Sequence, residues 1–447
     1  MSGQDNTKPN ATKKNISRRE FIKIGAAAAA GGLLASKAGI ANAARRSAPA
    51  FLQGAKTELN FLTWFWTEPG RGDAWRMMIK KFHDSQTDIH INEKGYGEND
   101  YFKTILLQAK SGQIDGDMFT ETPDGFLRMQ KAGFTISLED VVKNAGVTLS
   151  KAQDMFRVNG EVNGLDIVTV RFGLLYNKAL LDKAKLSEPT SIDEWVALCK
   201  ALTGKNQYGT FSPHVANDPF TTWFTLQQWA VLYDGVWAKG QTPLLTSDPV
   251  IKGLKLFKTM YDYMPQGTDA ATANKLFGAD QIATDMVVSA AVNEWKNSTD
   301  DPKLYGNLRS AAPFWPGKKA ITRIHPICIN AHADKVKQDA AKVFLSWLYK
   351  KENYQQLLEG CLDVIPAIEG GIRKEYRDTL TWADGFDEEV AITVPETLGD
   401  FVYYGDELGQ VVVPHFQDVL AGTASVEDAM AAAQKEAEAL ATRVFTS

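Results

Sequence analysis

The sequence predicts an α/β fold in two domains, and three observations carry that expectation. Short apolar runs alternate with helical periodicities from residue 57 onward. A chain of roughly four hundred residues beyond its leader exceeds the size at which a single core stops growing. A second block of the same alternation opens near residue 172.

Each element follows from its residues. Leu59 to Trp64 reads as a first strand, and Trp75, Met78, Ile79 and Phe82 then fall at i, i+3, i+4 and i+7, one helical face. Ile89 to Asn92 reads as the next strand. Phe102, Ile105, Leu106 and Ala109 repeat the helical spacing, Gly112 ends it, and Asp117 to Thr120 forms a third strand. Strands separated by amphipathic helices make βαβ units, hence largely parallel sheets flanked by helices. The second block begins with Phe172 to Lys178. Ser191-Ile192-Asp193-Glu194 is a capping box, in which the serine and the glutamate satisfy amides at a helix start, and Trp195, Leu198, Cys199 and Leu202 line the buried face. Two further helices are legible. One spans Val336 to Lys350, with Val336, Ala340, Val343, Phe344, Trp347 and Leu348 on one face, and the other spans Val426 to Ala441 after a cap at Ser425.

Ahead of these elements, Ser17-Arg18-Arg19-Glu20-Phe21-Ile22-Lys23 precedes an apolar stretch from Ile24 to Ile40 and the triplet Ala41-Asn42-Ala43. This order resembles a twin-arginine export signal with a small-x-small cleavage site. It implies a periplasmic protein with cleavage near Ala43. The competing reading, a membrane anchor, suffers because the run is short of the ~20 residues needed to span. Residues 44–56 read as a flexible leader.

Removing residues 1–43 takes away seven of the 49 Lys/Arg and two of the 54 Asp/Glu, leaving a formal balance of −10. That charge disfavours nucleic acid and anionic membrane surfaces as partners. Three scattered cysteines, Cys199, Cys328 and Cys361, build no disulfide framework. A Cys328–Cys361 bridge and free buried thiols both remain open. No metal or cofactor motif occurs: the six histidines lack HExxH spacing, and there is neither Cys-x-x-Cys nor GxGxxG.

Leu175-Tyr176-Asn177-Lys178-Ala179-Leu180-Leu181, followed by Glu188-Pro189-Thr190-Ser191-Ile192-Asp193-Glu194-Trp195, resembles the extracellular solute-binding proteins of the maltose-binding type, which serve ATP-driven importers. Met286 to Trp295, Ala340 to Leu345 and Leu420 to Met430 are similar to further family segments in the same order. The glycine of the family's GxW motif is absent at Ala291-Val292-Asn293-Glu294-Trp295. The resemblance covers nearly all of the exported chain. It implies the two-lobed periplasmic-binding-protein fold, each lobe a mostly parallel sheet flanked by helices, with a ligand cleft between lobes. The first lobe would take residues 57–172 and 321–378, the second 176–317 and 385–443, with crossings near 173–175, 318–320 and 379–384 as the hinge. It further implies a monomer that delivers a small solute to the permease subunits of an ABC importer and carries out no catalysis.

Candidate ligand contacts follow from loop position and from the resemblance. Trp64, Trp66, Glu68 and Arg71 lie beyond the first strand, where side chains leave the sheet toward a crevice. A tryptophan face stacks on the C–H face of a sugar, and a carboxylate accepts from hydroxyl pairs. Because strand side chains alternate, one of Trp64 and Trp66 also suits a core, and Arg71 suits either an anion or a surface loop. Tyr96 sits in a turn after the second strand. Glu121 and Asp124 follow the third, with N-capping of a helix from Gly125 as the rival role for Asp124. Arg171 stands before the crossing. Asp218, Phe220 and Trp223 resemble a segment that supplies an aromatic platform, with core packing the alternative for Trp223. Asn293, Glu294 and Trp295 occupy the GxW region, and Trp315 is a stacker near the hinge. His325 and Asp363 complete the set.

The aromatic content of these loops makes carbohydrate the preferred guest. A polyamine, a glycerol phosphate or an iron chelate on the same fold stays open, since a phosphate would want Arg71, Arg171 and Arg323 together. An exported glycosidase using Glu121 with Glu68 is the enzyme alternative.

Overall fold

A computed structural model describes residues 56–298, 306–387 and 392–446. The export signal, its cleavage triplet and all but the last residue of the leader lie outside the described residues. Among the described residues no helix is long and apolar enough to cross a membrane.

The amino-terminal alternation folds as the sequence predicts, with small shifts at the ends. Strand β1 (Thr57–Leu62) leads through a 3-10 turn (Trp64–Thr67) to helix α1 (Arg71–Ser85). Strand β2 (Ile89–Lys94), helix α2 (Glu98–Lys110), strand β3 (Met118–Thr120) and helix α3 (Pro123–Lys131) follow. Trp64 is not in the strand. Thr63 ends it, because its Oγ1 accepts from the Phe65 amide at 3.2 Å and starts the 3-10 turn. The Tyr101 hydroxyl donates to the Thr120 carbonyl at 2.7 Å, and Thr120 Oγ1 donates to Thr63 Oγ1 at 2.9 Å. These bonds hold the exits of β1 and β3 side by side.

The second block begins inside a longer strand than the sequence suggests. Strand β4 (Leu165–Asn177) pairs antiparallel with strand β8 (Lys319–Ile329) through Leu165 to Arg171. From Phe172 onward it pairs with strand β6 (Ile282–Val288). The strand changes partner between Arg171 and Phe172. Strands β5 (Tyr208–Phe211), β7 (Leu308–Ala311) and β9 (Ile392–Val394) complete a nine-stranded sheet in the order β2-β1-β3-β8-β4-β6-β5, with β7 beside β4 and β9 beside β8. The β1–β2, β1–β3 and β6–β5 pairs are parallel, as βαβ units require, and so is β8–β9, whereas β4 runs against β6, β7 and β8, and β8 runs against β3.

Helix ends show their caps. In helix α4 (Ile192–Leu202) Ser191 accepts from the Glu194 amide at 3.2 Å, while the Glu194 carboxylate reaches past Ser191 to the Thr190 amide and hydroxyl. Helix α5 (Pro219–Val231) is capped by Asp218, which accepts from the Thr221 amide. Helices α6 (Ala291–Ser298), α7 (Lys335–Leu348), α8 (Lys351–Cys361), α9 (Gly405–Ala421) and α10 (Val426–Phe445) finish the set used below. On α10 the residues Val426, Ala429, Met430, Ala433, Ala437 and Leu440 are buried, the i, i+3, i+4 stripe of an amphipathic helix.

Two large hydrophobic cores result. One gathers residues from Leu59 to Val170 and from Ile324 to Ile368, built on β1, β3, α1 and α7. The other gathers residues from Leu174 to Met286 and from Ala311 to Leu440, built on α4, α5, α9 and α10. Each large side chain removed from water contributes about 1.5–3 kcal/mol. All three cysteines are buried and unpaired, so the free-thiol reading holds and the Cys328–Cys361 bridge is absent.

Candidate functional site

Several buried charged side chains gather near the exits of β1 and β3 and on β8. Two clusters form there.

The first surrounds Arg71 at the start of α1. Arg71 Nη1 lies 2.5 Å from Glu68 Oε2, and its Nη2 lies 3.3 Å from Asp363 Oδ1. Burial opposes the guanidinium charge, but Glu68 and Asp363 more than offset it and hold its pKa above the ordinary arginine value. Asp363 is pushed by burial up to about 6 despite Arg71. Asn293 of α6 donates to the Pro69 carbonyl at 3.2 Å. Gly70, at φ +80°, is required here: a Cβ would stand 2.4 Å from Asn297 Nδ2 and 2.5 Å from Asn293 Oδ1.

The second cluster gathers at the start of α3. Thr122, not Asp124, caps this helix through its Oγ1 at 3.3 Å from the Gly125 amide, which leaves Asp124 for charge pairing. Arg128, one helical turn on, lies 2.9 Å from Asp124 and 3.7 Å from Asp406 of α9. Glu121 is 2 % exposed, and burial pushes its carboxyl up to about 8. Arg323 of β8 pairs with Glu396 and lies over the Phe224 ring, 3.7 Å from its centroid, and the Phe220 ring at 5.2 Å. Phe220 stacks on Phe102 at 5.2 Å. Burial, with Arg323 adding to it, pushes His325 down to about 3, so its imidazole is neutral, and Nδ1 lies 3.2 Å from the Val168 carbonyl.

The candidates separate by placement. Glu68 and Arg71 join the first cluster, Glu121 and Asp124 the second, and Phe220 and Asp218 stand at the head of α5. Tyr96 is 37 % exposed in the turn between β2 and α2. Trp64 is enclosed by Phe65, Tyr101, Phe102 and His325, with centroids 4.5–5.5 Å away. Trp66 donates to the Phe61 carbonyl at 3.1 Å and lies edge-on to Phe61 and Trp75. Both tryptophans are therefore packed against the first core. Arg171 sits at the partner change of β4, donating to Thr322 Oγ1 at 3.1 Å and to the Phe386 carbonyl at 2.8 Å. These bonds tie β4 to β8 and to the 3-10 turn at Phe386.

Three other tryptophans lie deep. Trp223 packs on Trp237 at 4.8 Å and against Gly409, the core-packing alternative for this residue. Trp295 stacks on Phe277 at 3.9 Å and donates to Asn274. Trp315, 1 % exposed, donates to the Lys319 carbonyl at 2.7 Å inside the second core. Asn293 is buried beside Pro69, and Glu294 is exposed and accepts from Asn274 at 2.6 Å.

Residues the sequence reading passed over complete the second cluster: Phe102, Arg128, Phe224, Glu396, Asp406 and Glu407. Arg128 was findable from its i+4 spacing to Asp124, and Asp406 with Glu407 from an acidic helix start. Glu396 carried no local signal. Among the described residues no His, Cys, Asp and Glu group is arranged to hold a metal ion.

Comparison with known proteins gives a family match. Residues 77–375 match the bacterial extracellular solute-binding protein model, and residues 15–35 match the twin-arginine translocation pathway signal sequence, which together indicate export to the periplasm. The melibiose/raffinose/stachyose-binding protein MelE of Bacillus subtilis (strain 168) is 22% identical over 336 residues, 68% of this chain and 73% of that protein. Among solved structures, the ABC substrate-binding protein Lmo0181 from Listeria monocytogenes in complex with cycloalternan is similar with TM-score 0.70 and 19% identity, covering 88% of this chain and 99% of that one. The GacH receptor of Streptomyces glaucescens, solved unliganded and with acarbose, gives TM-score 0.72 at 14% identity, covering 87% of this chain and 99% of that one. At these identities the two structures speak for the fold.

Proposed function

The chain belongs to the bacterial extracellular solute-binding proteins, and from that premise we propose that it captures a sugar or oligosaccharide outside the cytoplasmic membrane, closes around it, and delivers it to the permease of an ATP-driven importer. One observation supports this reading most. Aromatic and acidic side chains from both cores meet at one junction, where Phe102 faces Phe220 and Arg128 lies between Asp124 and Asp406. Rings stack on the C–H faces of a sugar, and carboxylates and guanidinium groups bind its hydroxyls. Closing such a junction removes a polyhydroxylated guest from water, which costs free energy unless its hydroxyls find partners. Similar proteins whose names include melibiose, raffinose and stachyose, or that were solved with cycloalternan or acarbose, agree with a saccharide guest.

In this reading the lobes are residues 57–172 with 321–378, and 176–317 with 385–443, and the hinge is made of the crossings near 173–175, just past the partner change of β4, 318–320 at the start of β8, and 379–384. Guest contacts come from Glu68, Arg71, Tyr96, Glu121, Asp124, Asp218 and Phe220. A guest that touches both lobes favours the closed state by its differential affinity.

The rivals fit less well. The arginines that a phosphate would need are already engaged: Arg71 by Glu68 and Asp363, Arg323 by Glu396, Arg171 by Thr322 and the Phe386 carbonyl. Glu68 and Glu121 belong to different clusters, which speaks against a glycosidase pair. The protein acts without turnover and as a monomer.

Thermal-shift screening of the exported chain against sugars, polyols, polyamines and phosphate esters tests the reading, because a guest bound only by the folded state raises the melting point by mass action. A shift with a saccharide is expected. Shifts confined to a phosphate ester, or turnover of a glycoside, overturn it.

A further inference from the structure

The charge at the second cluster does not balance. Glu121, Asp124, Glu396, Asp406 and Glu407 face two guanidinium groups, Arg128 and Arg323. Arg128 is shared between Asp124 and Asp406, and Arg323 is held by Glu396. Among the described residues Glu121 and Glu407 form no close ion pair: both feel only the longer-range field of Arg128, which Asp124 and Asp406 already share. Glu121, 2 % exposed, accepts from the Thr122 amide at Oε2 over 3.3 Å. Glu407 Oε2 is buried and receives no hydrogen bond. The adjoining lysine, Lys131, is exposed and lies over the Tyr403 ring at 5.7 Å, outside these contacts. One donor of the same cluster is also without a partner, the buried Nε of Arg128.

A buried carboxylate without a close ion-pair partner is costly, and the cost grows when a closing cleft drives out the remaining water. A neutral sugar offers hydroxyl donors to Glu121 but leaves the excess negative charge enclosed. A simple polyamine offers charge but no acceptor for the Arg128 Nε. A guest with an ammonium and adjacent hydroxyls offers both. We propose that the guest of this site is an amine-bearing polyol, an amino sugar in chemical class, whose ammonium sits against Glu121 and Glu407 while a hydroxyl accepts from Arg128. This assignment rests on the saccharide reading above and narrows it. The guest-free protein relieves the same excess in another way: burial pushes Glu121 up to about 8, so near neutral pH it holds a proton that an arriving ammonium displaces.

The test uses pairs that differ only at nitrogen. Glucosamine and galactosamine, and the deacetylated chito-oligosaccharides, are titrated calorimetrically into the exported chain beside their N-acetylated counterparts in two buffers of different ionisation enthalpy. The free amines are expected to bind about tenfold tighter or better, with net proton release at pH 7. E121Q should bring the members of each pair to within about threefold of one another while still unfolding in one cooperative transition; should E121Q fail to fold, E407Q reads the same preference. Equal binding of free and N-acetylated sugars overturns the amine assignment and leaves the saccharide reading standing. Binding of putrescine or spermidine with no sugar bound overturns both.

Discussion

Phe102 on α2 lies nearly parallel to Phe220 at the head of α5, with ring centroids 5.2 Å apart and planes 25° apart. Phe102 packs against the first core, and α5 buries most of its length in the second, so this stack crosses the junction. Both rings are only half-buried. An aromatic pair of this kind contributes about 0.5–1.5 kcal/mol beyond its buried area. Phe102→Ala and Phe220→Ala should therefore each weaken guest binding about three- to tenfold with little loss of melting temperature. Titration with the best guest from the thermal-shift panel checks this, and unchanged affinity in both variants removes the stack from the site.

The Arg323–Glu396 pair is buried on both sides, with side chains 7% and 5% exposed. Removing one partner strands a charge at a cost of about 3–5 kcal/mol. Glu396→Leu and Arg323→Met should each lower the urea midpoint, and the double variant, with both groups apolar, should recover much of the loss. A double variant no better than the single ones contradicts the pairing.

Glu121 supplies a pH dependence with a defined sign. Burial raises its folded-state pKa to about 8, against an unfolded value of about 4.3. Between those values the folded protein binds the extra proton, so stability falls as pH rises through that window, by up to about 1.4 kcal/mol per unit from this group. Glu121→Gln should flatten that part of the melting-temperature profile between about pH 5 and 8. An unchanged profile refutes a protonated Glu121.

Gly70 holds a positive φ where α6 approaches the turn before α1. Gly70→Ala should destabilise by about 1–3 kcal/mol and break the Asn293 bond to Pro69, lowering guest affinity as well. Calorimetric unfolding and titration read both effects, and a neutral result shows that the turn relaxes.

Local chemistry made much of this fold legible. The β1–α1–β2–α2–β3 order, the Ser425 cap and the stripe on α10 depend on neighbours in sequence, and the structure shifts their ends by a few residues. The partner change in β4 depends on residues more than one hundred positions away, so periodicity gave no sign that Leu165 to Asn177 is one strand. The tryptophans show the same limit. Trp66, Trp223, Trp295 and Trp315 look alike as sequence, and only tertiary packing turns their faces into the cores. Glu68, Glu121 and Asp124 were legible by position alone, since they follow strand exits, where a sheet releases its side chains.

The central claim is that two cores joined through β4 and β8 close on a small guest. Small-angle scattering of the exported chain, with and without a saturating saccharide found by thermal shift, tests it most directly. The account predicts a smaller radius of gyration with guest bound; superimposable profiles at saturation contradict it.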